Sequence, residues 1–116
     1  MICISVYYTR NLKIEVLLNN TVKLTNNREN GKIYLLEANR FYQLLKDGGK
    51  KWKIPNKNGG YTEISFNISN HPAGKHLSSV GGGINTYITL NDYELLMFEL
   101  GISISSINQV DLEDIV

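Results

Sequence analysis

Two short stretches hold most of the residues in this chain that could do chemistry. The first, NHPAGKHLSSVGGG, contains both histidines, His71 and His76, with Lys75 between them and Ser78 and Ser79 just beyond. Imidazole titrates near neutral pH and can move a proton, and glycine-rich backbone can turn its amides onto a phosphate. An enzyme built here would use His71, His76 and Lys75. Gly74-Lys75-His76 does not match a Walker loop, because the earlier glycine spacing is missing and neither serine nor threonine follows the lysine. Two neutral imidazoles fall short of the three protein ligands of a catalytic zinc, so no metal and no other cofactor is expected. The competing reading is a loop of about a dozen residues whose glycines permit a bend, although loops of that length exceed the usual ~4–6 residues and are more often functional.

The second stretch, KDGGKKWKIPNKNGG, carries Lys46, Lys50, Lys51, Lys53 and Lys57 around Trp52, the only tryptophan. Lysines on a strand can follow a phosphate backbone, and an indole face is worth ~1–3 kcal/mol per stacked base. Strand geometry separates the two functions, however. Lys51, Lys53 and Pro55 point one way, whereas Trp52 and Ile54 point the other and suit the core. Lysines on an edge strand also discourage pairing with other chains, which explains them without a ligand.

Charge supplies the third candidate surface. The net value of +1 conceals a gradient, with subtotals of +3 over 1–45, +4 over 46–75 and −6 from His76 onward. The last part has no lysine or arginine and carries Asp92, Glu94, Glu99, Asp111, Glu113 and Asp114. Asymmetry of this kind points to a charged partner unless folding lets the two poles neutralise each other. Asp92 and Glu94 also suit the first turn of a helix, which needs no catalytic explanation.

The elements that must position these residues follow from period and punctuation. Residues 2–8, 12–18, 21–24 and 32–36 alternate apolar and polar, as half-buried strands do, with a two-residue Asn19-Asn20 hairpin between the second and third. Ala38, Phe41, Tyr42 and Leu45 form a helical stripe that Gly48 and Gly49 end. YTEISFNIS reads as a strand, and Ile84, Thr86, Ile88 and Leu90 alternate again. Asn91 and Glu94 form a capping-box variant that opens a helix over 92–100, apolar nearly all round and closed by Gly101. ISISSI over 102–107 would add an edge strand. The expected fold is therefore α+β: an antiparallel sheet, made of an N-terminal meander plus later strands, with two short helices packed on one face. It forms one domain over 1–110, followed by a short acidic tail over 111–116.

Composition fits that expectation. The 116 residues suffice for one core, and the apolar share of 42% with 20% charged residues is ordinary for a globular protein. No apolar run approaches the ~18–20 residues of a membrane span, and MICISVYYTR lacks the basic start and cleavage site of a signal peptide. The single cysteine, Cys3, excludes an internal disulfide and suits a reducing, cytoplasmic setting.

YLLEANRFYQLL (34–45) and ITLNDYELLMFE (88–99) repeat one layout of strand, brief polar step and aromatic-rich helix. This layout is similar to that of the Pur-type and Whirly-type single-strand nucleic-acid binders, in which strands precede a closing helix. In size and charge polarity the chain also resembles small phage-encoded inhibitors, some anti-CRISPR proteins among them, which set carboxylates against a basic groove. Near-neutral total charge argues against a strong standalone nucleic-acid binder, whose affinity comes largely from phosphate neutralisation. The leading expectation is thus a small non-enzymatic protein, of phage or mobile-element type, that inhibits a nucleic-acid-handling complex by occupying its surface. A protein partner is expected, with helix 92–100 as the candidate homodimer seam and no membrane involved. The alternatives are a single-strand nucleic-acid binder using Lys46–Lys57 with Lys75, and a small enzyme using the histidines.

Overall fold

Alternation in LKIEVL and TVKLTN sends Leu12, Ile14, Val16, Val22 and Leu24 to one side, and that side is buried. Lys13, Glu15 and Lys23 fall on the other, where water reaches them. The computed structural model describes residues 3–55, 58–81 and 83–115, with side chains described for all of these except 54, 55 and 103–115. Strands β1 (Cys3–Tyr8), β2 (Leu12–Leu17), β3 (Thr21–Asn26) and β4 (Lys32–Glu37) form an antiparallel meander in that order. The β2–β3 connection is one residue longer than the expected hairpin. Leu17 pairs with Thr21, and Asn20 closes the turn at φ 57°, a left-handed conformation that asparagine tolerates.

Helix α1 (Ala38–Asp47) follows β4 directly and buries Ala38, Phe41, Leu44 and Leu45. Gly48 ends it at φ 72°, its amide donating to the Leu44 carbonyl at 2.7 Å. The chain then repeats the scheme. Strands β5 (Lys50–Pro55), β6 (Tyr61–His71), β7 (Gly74–Val80) and β8 (Asn85–Thr89) make a second antiparallel meander, and α2 (Leu90–Ile115) closes it.

The fold is α+β as expected, with antiparallel strands, here in two sheets of four, and helices packed against them. Three expectations about single elements are corrected. GKHLSSV is not loop but the central strand β7, paired on both sides, so the expected long loop shrinks to a hairpin turn and a short link to β8. Its polar composition hid it: only Leu77 of its seven residues is fully buried. Residues 102–107 continue α2 and add no strand, and the backbone of the acidic tail as far as Ile115 is helical too, so the second helix is long, at 26 residues. Finally, β8 runs to Thr89, so the helix starts before Asn91. The Thr89 hydroxyl accepts from the Asp92 amide at 3.2 Å and does the capping assigned to Asn91.

One contiguous core joins both sheets and both helices, from Ile14, Leu24 and Tyr34 through Phe41 and Leu45 to Trp52, Phe66, Ile88, Leu96 and Leu100. Helix α1 packs on α2, β3, β4 and β6, while α2 packs on α1, β7 and β8. Thr86, buried in β8, donates to Thr9 at 2.6 Å and ties the second sheet to the β1–β2 turn. Among the described residues, no helix is long and apolar enough to cross a membrane.

Candidate nucleic-acid interface

The helices and the core cover one face of β5–β8 and leave the other to solvent. The pairing registers fix what that open face carries. Lys51 lies opposite Ser65 and Lys53 opposite Glu63. Asn67 and Ser69 oppose Ser78 and His76. Ser78 and His76 in turn oppose Asn85 and Tyr87. Every one of these side chains shares a face, because side chains that oppose one another across a ladder point the same way and alternate residues along a strand do too.

At one corner of the face, three rings meet. The centroid of Tyr87 lies 4.4 Å from that of His71 and 4.8 Å from that of His76, with interplanar angles of 46° and 30°. His76 is further held by Asn85, whose Oδ1 is 2.5 Å from Nε2. His71 Nδ1 accepts from the Ala73 amide at 3.1 Å, which leaves Nε2 of that ring to donate outward. Tyr87 remains 51% exposed. Tyr61, 67% exposed, stands on the same face of β6 nearer the lysines.

The diagonal from Lys51 to Tyr87 crosses three strand spacings and four residues of register, a distance on the order of 20 Å. Between them lie Ser65, Asn67, Ser69, Ser78 and Asn85, short side chains able to donate and accept hydrogen bonds. Such a face combines cations at one edge, planar rings at the opposite corner and hydrogen-bonding groups between. Single-strand binders pair stacking surfaces with a cationic track in the same way.

The residues singled out from the sequence are distributed differently. Trp52 is buried at 5% exposure, edge-on to Phe66 at 5.0 Å, with the Arg40 guanidinium 4.8 Å over its ring. It therefore offers a base no open face. Lys50 is half-buried on the inner side of β5, opposite Phe66. Lys46 and Lys75 meet elsewhere, in an open groove of about 270 Å³ with Asp47, Ser69 and Asn70. Lys57 lies outside the described residues.

His71 and His76 do come together, but Lys75 is on the opposite face. Its ammonium is 2.6 Å from Asn70 Oδ1 and 4.9 Å from the Tyr93 ring centroid. The histidines contact the Ala73 amide, the Asn85 side chain and the Tyr87 ring. Among the described residues no group of three His, Cys, Asp or Glu side chains is placed to hold a metal.

Of the acidic candidates, Asp92, Glu94 and Glu99 have described side chains. Glu99 turns toward β1 and accepts from both Ser5 Oγ and Tyr7 OH, the latter at 2.9 Å. Burial, reinforced by that bond and by the Glu99 charge, pushes the Tyr7 phenol up to about 12. Glu94 is exposed, and Asp92 is half-buried beside its cap. Asp111, Glu113 and Asp114 lie on α2, with side chains outside the described set.

Four contributors escaped sequence reasoning: Arg40, Asn67, Asn85 and Tyr87. The last three sit at the polar phase of β6 and β8, so alternation alone marked them as outward-facing. Nothing local marked Tyr87 as the neighbour of His71 and His76, because the strand that joins them read as loop. Comparison with protein-family models, curated proteins and solved structures found no match for the chain.

Proposed function

We propose that the protein binds single-stranded nucleic acid on the open face of β5–β8. The observation that carries this reading is that Lys51 and Lys53 share a face with the His71–Tyr87–His76 rings. Lysines and a stacking aromatic must be on the same side to engage one strand, and Trp52 could not meet that condition. Tyr87 meets it. Bases would lie against Tyr87 and the imidazoles, the Asn and Ser side chains would contact base edges, and the edge lysines would neutralise phosphates. The layout of four strands and a closing helix, repeated twice, agrees with the likeness to Pur-type and Whirly-type binders.

The test is fluorescence anisotropy with short labelled DNA and RNA strands across a salt series, using duplex of the same sequence as competitor. Saturable binding that weakens with salt and resists duplex competition is the expected result. No binding to either strand at low salt removes the reading.

A protein-facing reading rests on one separate observation. Leu95, Phe98 and Ile102 stand out from α2 at 50%, 70% and 51% exposure, spaced so that they share a helix face. Through that stripe the chain would cover part of a nucleic-acid-handling protein, or a second copy of itself. Sedimentation of wild type and Phe98→Asp separates the last case: a dimer that the substitution dissolves assigns the stripe to self-association.

A further inference from the structure

We infer that the groove formed by Arg40, Lys51, Lys53 and Trp52 is a subsite for a phosphate oxyanion. The groove encloses about 350 Å³ at the edge of β5, and Glu63 completes its lining. Three cations against one carboxylate leave it at a formal charge of +2.

Its parts are held ready for a ligand. The Arg40 guanidinium is fixed from two sides, stacked 4.8 Å over the Trp52 ring and donating from Nη2 to the Lys51 carbonyl at 2.8 Å. A guanidinium has five N–H donors in a planar fork, and the bond to Lys51 uses one of them. Lys51 and Lys53 are exposed, and among the described residues neither ammonium makes an ion pair or hydrogen bond. Even the Lys53–Glu63 pair across the ladder forms no salt bridge.

The indole supplies the second observation. Trp52 Nε1 is buried and, among the described residues, has no hydrogen-bond acceptor. Buried donors are almost always satisfied, so an orphan N–H in a residue lining a cationic groove calls for an incoming acceptor. Arg40, Lys51 and Lys53 bring three cations to one groove, more than a singly charged carboxylate would balance. A phosphate has three or four oxygens, arranged around one centre.

In its nucleic-acid form the inference rests on the reading above, with a backbone phosphate seated here while bases lie toward Tyr87. A free phosphate monoester presents the same chemistry. Trp52 is the only tryptophan, so its indole resonance in a proton–nitrogen NMR spectrum reports on this groove alone. Inorganic phosphate should move that resonance saturably. Arg40→Gln should weaken the phosphate response about tenfold or more, and Lys46→Ala should leave it unchanged.

A resonance unmoved by both phosphate and a single strand overturns the subsite, as does an equal shift with chloride at matched ionic strength. If the strand binds by anisotropy while the indole stays still, the subsite fails and the interface reading survives. If phosphate moves the indole but no strand binds, the subsite holds with a monoester as its source and the nucleic-acid reading fails.

Discussion

Tyr7 on β1 donates its phenolic hydrogen to Glu99 on α2 at 2.9 Å, so a carboxylate near the end of the chain is held by a strand at its start. The bond has a consequence for stability against pH. Unfolded, the phenol titrates near 10.0; folded, it rises to about 12, chiefly through burial and then through Glu99. The folded state therefore binds that proton more tightly. Its contribution is complete below the unfolded value and is lost as pH climbs from about 10 toward about 12. Solvent around the group keeps the effect modest. Denaturation midpoints at about pH 9 and about pH 11 should fall more steeply for wild type than for Tyr7→Phe, and equal slopes would remove the coupling.

Tyr87→Ala takes away the central ring of the cluster while leaving the ladder between β7 and β8 in place. Loss of one stacking contact should weaken single-strand binding about five- to 150-fold, given ~1–3 kcal/mol per stacked base. Tyr87→Phe should bind nearly as wild type, since the face of the ring is kept. Anisotropy titrations of both variants check this, and an unaffected Tyr87→Ala would place the bases elsewhere.

Lys51→Ala with Lys53→Ala should act on the salt dependence of binding. Each lost phosphate contact lowers the slope of log affinity against log salt by about 0.7 for a single strand. Lys46→Ala with Lys75→Ala carries the same change in charge but affects the separate groove beside Asn70, so it should leave the slope close to wild type. A salt series on the two double variants distinguishes a local contact from a general loss of positive charge.

Gly74 opens β7 at φ 143°, opposite Thr89 where β8 gives way to α2. A Cβ there would strike the Ile88 carbonyl oxygen and come within 2.6 Å of the Leu90 amide nitrogen, both of them backbone atoms that cannot swing aside. Gly74→Ala should cost at least roughly 1–3 kcal/mol of stability through the strained conformation, with the clash in addition. Chemical denaturation measures it. Gly49→Ala offers a comparison, because φ there is also positive, at 59°, but no atom lies within 4 Å of the added carbon.

Much of the architecture could be read from local pattern. The alternation in LKIEVL, TVKLTN and YTEISFNIS identified β2, β3 and β6, and the Ala38–Phe41–Leu45 stripe with Gly48 identified α1. These elements bury one face and wet the other, so the period of the residues records their geometry. The same parity argument placed Lys51 and Trp52 on opposite sides of β5, and Trp52 is indeed in the core.

What depended on distant partners was illegible. A central strand with a single fully buried residue leaves no period to read, so β7 passed for loop, and with it went the register that sets His76 beside Tyr87. The division into two sheets and the turn of Glu99 toward Tyr7 likewise depend on contacts between residues far apart in the chain. Residue types and their spacing determined which elements form and which way most side chains point, because those are short-range steric and solvation effects. The meeting of rings, lysines and amides on one open face was decided only by strand pairing, whose register is set by nonlocal packing.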